Sequence, residues 1–523
     1  MPLPPLHASY WMDSTQSTDF PCLDEDREAD VVVVGGGIAG LCTAWELVRA
    51  GRGVVLLEAG RIASGVTGHT TAKLSCLHSL IYARLRAASG ADAARWYATS
   101  QREAIDRVFR LVEDLGVDCE LETADSYTYA VTPDTAARVR EEAEAARQAG
   151  LPASFVTRTE LPFPVAGAVR VADQATFHPR RFLLALAADL VARGGRIFEG
   201  SRVTGLREGE PCRVTTEPGP AVTAADVVVA THYPVFNRAL SFARLEPRRE
   251  LVIAGPVPSD RAPAGMYLTP DQNTRSVRTA PYGAGQRLLI VTGEHFGPGT
   301  GRVRERQERL TAWAREHFPD LVPTYQWAAQ DNATTDGLPH VGPFHPRARH
   351  VHVATGFGGW GMSNGVMAGG LLAAHLTGRE LPPWASLYDP RRLHPVREAP
   401  ALLGLQASVA RHFVGDRLPG ATTDSVARIA PGGGAVVRCG GRHLAVHRDD
   451  LGGLHAVQAR CTHLGCLVRF NDAERTWECP CHGSRFDVEG HVLQGPAVRP
   501  LRPEPVRDDP RTDPGTDAGT PPH

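Results

Sequence analysis

The chain has 523 residues, enough for about three or four domains or for two larger ones. Its 56 basic and 58 acidic residues leave a formal charge of −2, which argues against a nucleic-acid binder with a basic surface over a whole domain. With 42% hydrophobic and 22% charged residues the composition is that of a globular protein, and ten cysteines are too few for a secreted scaffold built on disulfides. Because neither a targeting segment nor an apolar run of about 18 residues is visible, we expect a cytoplasmic protein with no membrane span.

The predicted elements begin after a polar N-terminal segment, residues 1–27. An apolar run over 29–34 leads through three glycines into a helical pattern over 41–50, and a short strand pattern follows over 53–58. A strand, a glycine turn, a helix and a second strand within about thirty residues predict a parallel βαβ unit.

The glycine turn has the spacing of a dinucleotide-binding motif, with Gly35, Gly37 and Gly40 in it and Glu58 at the end of the second strand. In such a turn the first glycine permits the tight bend, the second admits a pyrophosphate to the backbone, and the third lets the helix pack on the strand. The helix N-terminus stabilises the phosphate charge, and an acidic residue about 20 positions on accepts hydrogen bonds from the ribose. The sequence therefore predicts a bound dinucleotide, without separating NAD from FAD.

Further helical patterns fill the rest of this large domain. They cover about 80–115, 134–149 and 302–317, and a glycine-rich block follows over 354–370. The loop 297–301 has the wrong glycine spacing for a second dinucleotide site, so we expect no separate NAD(P)H domain.

The C-terminal part of the chain has a different character. Proline-rich residues 386–422 predict a linker that crosses the surface. A series of short strand and turn patterns over 423–506 predicts a separate small all-β domain. The tail over 507–523 is mostly Pro, Gly, Thr and Asp, so we expect it to be disordered.

Several segments of the large domain resemble the FAD oxidoreductases of the D-amino-acid-oxidase family, to which glycine and sarcosine oxidases belong. The similarity runs over about 28–385 and rests on segments 31–40, 64–73, 230–234, 336–339 and 354–362, together with Glu58. It implies an α/β Rossmann-type FAD-binding domain with an inserted α+β substrate domain. It also implies that the bound dinucleotide is FAD.

The same resemblance extends to two groups of residues expected beside the cofactor. The small, hydroxyl-rich loop of the family is matched by Thr67, Gly68, Thr70 and Thr71. The residues expected near the isoalloxazine are Gly356, Phe357, Gly359, Gly361 and Met362. A helix N-terminus at that place can stabilise a reduced-flavin anion. The alternatives are a helix-capping turn for the threonines and a glycine-rich helix–helix contact for the later block.

Ionisable groups for catalysis or substrate binding are harder to choose. His69 and Lys73 belong to the hydroxyl-rich loop, where each is expected either near the flavin or exposed to solvent, so neither is assigned as a base. The resemblance also implies direct hydride transfer to the flavin, for which no side-chain base is essential. Four residues of the strand-rich region are candidates to bind a substrate carboxylate: Arg248, Arg249, Tyr267 and Arg275. The commoner explanation for such arginines is that they are scattered over the surface.

A cluster of cysteine and histidine dominates the small domain. Cys461 and His463 stand two positions apart, and Cys479 and His482 follow three positions apart. Two thiolates and two imidazoles suffice for one zinc ion or for a mixed-ligand iron–sulfur centre, although the spacing is not the usual one for zinc.

The arrangement resembles the Rieske [2Fe-2S] proteins, in which Cys461 and Cys479 would hold one iron and His463 and His482 the other. In that family Cys466 and Cys481 match the pair that forms a disulfide between the two cluster loops, with two free buried thiols as the alternative. Ser484 matches the serine that donates to a cluster sulfur. Phe486 stands where the family members of cytochrome bc complexes have a tyrosine.

Together the two resemblances imply an FAD-dependent oxidoreductase that oxidises a C–N bond of an amine or amino acid. The flavin would then pass electrons singly to the Rieske cluster and an external acceptor. Two alternatives stay open: electrons entering through the cluster for a reductive or oxygen-dependent step, and a redox sensor or relay without turnover.

Overall fold

The structure is a computed structural model that describes residues 9–217, 219–236, 241–271, 273–415, 425–439 and 441–505. The chain divides into two compact units. The first comprises Met1–Pro298 with Arg304–Ala407, and the second comprises Gly299–Val303 with Ser408–His523. The tail predicted to be disordered, 507–523, lies outside the described residues.

The helices and strands of the described residues are numbered in chain order. The α-helices are α1 (Tyr10–Asp13), α2 (Ile38–Arg49), α3 (Ile81–Ser89), α4 (Ala91–Leu115), α5 (Pro133–Gln148), α6 (Pro179–Ala192), α7 (Ser241–Arg244), α8 (Val303–His317), α9 (Gly361–Thr377) and α10 (Pro395–Gly415). The strands of the first unit are β1 (Arg27–Val34), β2 (Val54–Leu57), β3 (Lys73–Leu74), β4 (Glu122–Ala130), β5 (Ala153–Val156), β6 (Gly167–Thr176), β7 (Arg196–Phe198), β8 (Val203–Arg207), β9 (Cys212–Thr216), β10 (Ala221–Val229), β11 (Leu245–Pro258), β12 (Met266–Leu268), β13 (Arg275–Pro281), β14 (Gln286–Phe296), β15 (Tyr325–Thr334), β16 (His340–Pro343) and β17 (Val351–Thr355). Those of the second unit are β18 (Gly434–Cys439), β19 (Arg442–Arg448), β20 (Leu454–Gln458), β21 (Arg469–Asn471), β22 (Thr476–Glu478), β23 (Arg485–Phe486) and β24 (Val492–Gln494).

The first sheet of the first unit is the Rossmann-type sheet. Its main path runs β16-β17-β10-β1-β2-β7, and β8 and β9 extend it as an antiparallel pair beside β10. β1 lies in the middle and pairs in parallel with both β2 and β10. Its four consecutive valines are buried because apolar side chains cover both faces of a parallel sheet.

The second sheet belongs to the inserted α+β domain, with the path β15-β11-β14-β13-β12-β4-β6-β3 and β5 beside β6. Its side chains alternate between two faces. On one face Val252 and Ile290 pack with Trp11 and Ala72, and we call this the loop-facing side. On the other face Arg275 lies over the ring of Trp313 in α8, and we call this the helix-facing side.

The second unit is built from two small antiparallel sheets. One has the order β18-β19-β20 and the other the order β21-β22-β23-β24. A buried cluster that includes Trp477, Phe486 and Val468 forms its core, together with the cysteines of the predicted metal site. The predicted fold class, a Rossmann-type domain with an inserted α+β domain and a small all-β domain, is confirmed.

The structure differs from the sequence predictions in three places. The helix predicted over 80–115 is two helices, because Gly90 adopts a φ of 88° between α3 and α4. The N-terminal segment contains α1, whose Trp11 is completely buried. The stretch 386–422 was predicted to be a linker, and in its described part it contains α10 and the fully buried Tyr388. Pro395 opens α10, where a missing N–H costs nothing, so the prolines of this stretch do not exclude a helix.

Candidate functional site

The turn between β1 and α2 consists of three consecutive glycines. Gly35 has a φ of 108°, and a Cβ on it would lie 2.4 Å from the carbonyl oxygen of Ala230. A Cβ on Gly40 would lie 1.9 Å from the Gly35 oxygen, so the helix approaches the strand this closely only with glycine there. Gly37 is the N-cap of α2. These features fit a pyrophosphate group held at a helix N-terminus.

Glu58 lies directly beside this turn, at the end of β2. One carboxylate oxygen accepts the N–H of Gly36 at 2.7 Å, and the other accepts the N–H of Gly60 at 2.8 Å. Burial raises the pKa of this carboxyl group. A carboxylate has about four lone-pair sites, so two backbone bonds orient it and leave acceptors for ribose hydroxyls.

The hydroxyl-rich loop follows and also supports the first helix. The Thr67 hydroxyl accepts the N–H of Ile38 at 3.2 Å, so it caps α2. The Thr70 hydroxyl accepts the N–H of Ala72 at 3.0 Å, and Ala72 adopts a left-handed φ of 55°. A Cβ on Gly68 would lie 2.6 Å from a backbone carbonyl oxygen. The capping interpretation therefore holds for Thr67, and it leaves the loop free to serve a cofactor as well.

The late glycine block begins where β17 ends. Gly356 has a φ of 76°, and the backbone of Phe357 forms an isolated bridge to Ala333 of β15. The N–H of Gly359 donates to the carboxylate of Asp331. The block is thereby joined to the end of the second sheet.

The helix after the block contacts the first helix. Gly361 begins α9, and Met362 is buried in the core of the Rossmann-type part. A Cβ on Gly369 would lie 2.6 Å from the Cβ of Cys42 in α2, and Gly365 packs against the same helix. The helix-contact interpretation thus applies to the later glycines, whereas Gly356 and Gly359 lie in the turn before α9.

Of the two ionisable groups in the loop, Lys73 has the more unusual surroundings. Its ammonium group contacts the hydroxyl of Ser276. Burial lowers the pKa of Lys73 to about 8, although the negative charge of Glu250 acts in the opposite direction. His295 lies 2.7 Å from a carboxylate oxygen of Glu250, which raises the pKa of that histidine. The His69 imidazole contacts the carbonyl oxygen of Gly65 in its own loop at 2.9 Å. Lys73, Glu250 and His295 therefore form a charged group next to the loop.

The residues proposed from sequence to meet a carboxylate each contact a partner within the protein. On the helix-facing side, Arg275 pairs with Glu294 at 2.8 Å and Arg249 lies over a phenylalanine ring. Tyr267 stacks on Tyr127, and the exposed Arg248 pairs with a neighbouring glutamate. The charges of Arg248 and Arg275 also act on His295 and oppose the rise in its pKa, so these two arginines lie near the charged group.

In the second unit, two hairpin loops carry the cysteine–histidine cluster. The N–H groups of His463 and Leu464 donate to the sulfur of Cys461. Those of Cys481 and His482 donate to the sulfur of Cys479. Backbone N–H groups aimed at two sulfur atoms are the environment that a thiolate bound to iron requires.

The four predicted ligands lie in two like pairs. The thiols of Cys461 and Cys479 are hydrogen-bonded to each other, which lowers the pKa of Cys461. The imidazole centroids of His463 and His482 are 5.0 Å apart at 88°. Burial lowers the pKa of His463 to about 4, so this imidazole is neutral at pH 7 and able to bind a metal. The residues fit a cluster with thiolates on one iron and imidazoles on the other.

A disulfide joins the two loops through Cys466 and Cys481, as predicted. The sulfur atoms of Cys466, Cys479 and Cys481 all lie within 4.8 Å of one another. Two of these three sulfurs are bonded to each other, so among them only Cys479 keeps a thiolate for metal. This grouping is therefore not a site for a separate ion.

Ser484 and Phe486 lie next to the ligands. The hydroxyl of Ser484 is hydrogen-bonded to Cys461 and accepts the N–H of Ala497 at 3.0 Å. Phe486 is completely buried and pairs across the sheet with Trp477.

Phe486→Tyr should raise the reduction potential of the cluster, because a phenolic donor stabilises the more negative reduced state. A net hydrogen-bond gain of about 1 kcal/mol corresponds to about 40 mV for one electron. Phe470→Tyr, which adds the same hydroxyl to another ring beside Trp477, is the matched control. A redox titration in which Phe486→Tyr keeps the wild-type potential would refute this account.

Comparison with known protein families assigns both units. The family model described as DAO, FAD dependent oxidoreductase, matches residues 30–375, and the Rieske [2Fe-2S] domain model matches residues 422–505. The chain belongs to the FAD-dependent oxidoreductase family. It carries a C-terminal Rieske domain, and its cofactors are FAD and a Rieske-type [2Fe-2S] cluster.

Individual relatives agree with this assignment. The Bacillus subtilis (strain 168) protein YhfW, named as a Rieske 2Fe-2S iron–sulfur protein, is 35% identical over 498 residues, covering 94% of this chain and 97% of that one. The Escherichia coli (strain K12) gamma-glutamylputrescine oxidoreductase is 26% identical over 393 residues, covering 71% of this chain and 89% of that one. The crystal structure of glycine oxidase from Geobacillus kaustophilus has a TM-score of 0.58 at 20% identity, covering 70% of this chain and 100% of that one, which shows a shared fold.

Within the described residues no helix is both long and apolar enough to cross a membrane. The oxidoreductase and the Rieske domain predicted from sequence are confirmed.

The sequence did not predict Glu250 and His295 as neighbours of Lys73. No local motif marks them, because 177 positions separate Lys73 from Glu250 and strand pairing alone brings them together.

Proposed function

We propose that this FAD-dependent oxidoreductase oxidises a C–N bond of an amine or amino acid and delivers the electrons to an external one-electron acceptor. The observation that carries the proposal is the presence in one chain of a dinucleotide-type glycine turn and a pair of Cys–His loops. The relatives' names support the substrate class, since they include a gamma-glutamylputrescine oxidoreductase and a glycine oxidase. A cytoplasmic location stays a prediction.

The residues that we propose to hold the cofactors are those selected from the sequence. For FAD they are Gly35, Gly37, Gly40, Glu58, Thr67, Gly68, Thr70, Thr71, Gly356, Phe357, Gly359, Gly361 and Met362. For the cluster they are Cys461, His463, Cys479 and His482. Their steric, hydrogen-bonding and ligand properties described above support this assignment.

The reaction requires the substrate to lose two electrons and two protons. When bound, FAD accepts an electron pair from a substrate and the cluster transfers electrons one at a time. Loss of a hydride from carbon and a proton from nitrogen gives an imine, which water hydrolyses to a carbonyl compound and an amine or ammonia. Lys73, with Glu250 beside it, is the charged group of this chain that we propose to orient the substrate.

Anaerobic mixing of the purified holoprotein with a panel of amines, N-methyl amines and amino acids tests the proposal. We expect at least one compound to bleach the oxidised-flavin absorbance and to yield its carbonyl product. Oxidised spectra across the whole panel, from a protein that dithionite still bleaches, would contradict it.

For an anionic substrate, flavin reduction should need more substrate above pH 8. The Lys73 ammonium is present below its pKa of about 8 and is lost as the pH rises through that value. In Lys73→Arg the cation persists to higher pH, so the rise in half-saturating concentration should move upward or disappear. The same pH profile in the variant and the wild type would exclude Lys73 as the titrating group.

A further inference from the structure

Five consecutive carbonyl groups of the hydroxyl-rich loop, those of residues 68–72, each accept a hydrogen bond from a side chain. The hydroxyl of Ser9 donates to the oxygen of Gly68, and the indole N–H of Trp11 donates to the oxygen of Thr70 at 2.6 Å. These two donors come from the N-terminal segment.

The other donors come from the loop-facing side of the second sheet. The indole N–H of Trp327 donates to the oxygen of His69 at 2.8 Å. Arg278 donates to the oxygens of Thr71 and Ala72 at 2.9 and 2.5 Å. Its guanidinium also lies over the ring of Trp11, 5.4 Å from the centroid.

These bonds fix more than the carbonyl groups. In a trans peptide the N–H points opposite to the C=O, so the same bonds fix the N–H directions of residues 69–73. Ala72 is held in the left-handed region, a conformation that persists only where the surroundings determine it. The loop is therefore rigid and preorganised, with Ser9 and Trp11 supplying two of its supports.

The N-terminal segment is itself firmly attached to the first unit. Trp11 is completely buried and meets the His178 ring edge-on at 4.9 Å. The buried Arg180 donates to the hydroxyl of Thr15 at 2.7 Å and to the carbonyl of Gln16 at 3.0 Å. These buried contacts hold residues 9–16 in one position, unlike most chain termini.

We propose that residues 9–16 are a functional part of the flavin site. They retain FAD by holding the hydroxyl-rich loop in the conformation that binds the cofactor. Ser9 and Trp11 are positioning residues, since they act through the loop. The proposal rests on the proposed function only in taking this loop to bind FAD.

The test is the rate of FAD release from diluted holoprotein, followed by the fluorescence of the free cofactor. Trp11→Phe keeps an aromatic ring but leaves the Thr70 carbonyl without its donor. We expect release about tenfold faster than in the wild type, equivalent to about 1.4 kcal/mol. Trp327→Phe removes the donor to the preceding carbonyl, that of His69, and should act in the same direction.

Trp384→Phe is the matched control, since its buried indole N–H donates to Glu103 at 3.0 Å and does not contact the loop. It should release FAD at the wild-type rate, and the Rieske EPR signal should be unchanged in all three variants. Release in Trp11→Phe and Trp327→Phe within twofold of this control would overturn the proposal. Glu58→Gln should speed FAD release by itself. If it does while the two tryptophan variants do not, the proposal for residues 9–16 is wrong; if it does not, the placement of FAD is wrong. None of these measurements depends on turnover.

Discussion

Cys461→Ser and His482→Ala should each abolish iron binding while FAD stays bound. Each substitution removes one of the four ligands, and neither a serine hydroxyl nor a methyl group replaces a soft thiolate or an imidazole on iron. The expected result is loss of the Rieske EPR signal and of bound iron, with a wild-type ratio of FAD to protein.

Suitable controls lie in the same unit. Cys439 is an exposed free cysteine, and His491 is an exposed histidine whose ring pairs with Asp487 at 2.9 Å. Cys439→Ser and His491→Ala should keep iron and the signal. Full iron content in both ligand variants would overturn the ligand assignment.

Asp336→Asn should destabilise the first unit by about 3–5 kcal/mol, because it leaves a buried guanidinium without its counter-ion. The two carboxylate oxygens of Asp336 accept bonds of 2.6 and 2.9 Å from Arg392, and the side chain of the aspartate is completely buried. Arg392 also donates to the carbonyl oxygens of Leu338 and Pro339, so it holds the turn before β16. Urea unfolding followed by FAD fluorescence measures the change.

The pH dependence of this effect has a definite sign. Although burial opposes it, the ion pair with Arg392 holds the pKa of Asp336 well below its usual range. A depressed carboxyl pKa contributes stability above the unfolded value of about 4, and that stability is lost as the pH falls further. The difference between wild type and variant should therefore be largest near neutral pH and shrink below about pH 4.

Asp389→Asn is the control for this variant. Asp389 pairs with Arg391 at 2.7 Å in a partly exposed position, where an ion pair contributes about 0–1 kcal/mol. Equal losses in the two variants would show that burial of the Asp336 pair has no special weight.

The sequence predicted those features whose residues lie close together along the chain. The glycine turn with Glu58 and the two Cys–His loops each occupy fewer than about 30 positions, so spacing alone identifies the chemistry. The disulfide was predicted in the same way, by resemblance over one short segment.

The features that could not be predicted depend on contacts between distant segments. Trp11 and Thr70 are 59 positions apart, and Lys73 and Ser276 are 203 apart. The face on which Arg249 lies depends on strand register, and a shift in the pairing of β11 with β14 occurs just after it. A one-residue change in register reverses every side chain, so composition and periodicity do not decide such a position.

The most direct test of the account is whether electrons taken from a substrate reach the cluster of the same chain. Holoprotein and a compound that bleaches its flavin are mixed without oxygen, and samples are frozen at intervals for EPR. We predict that flavin absorbance is lost first and that the signal of a reduced Rieske cluster then appears, while His482→Ala shows the first change without the second. A wild-type cluster that stays oxidised beside a fully bleached flavin, yet is reduced by dithionite, would contradict the account.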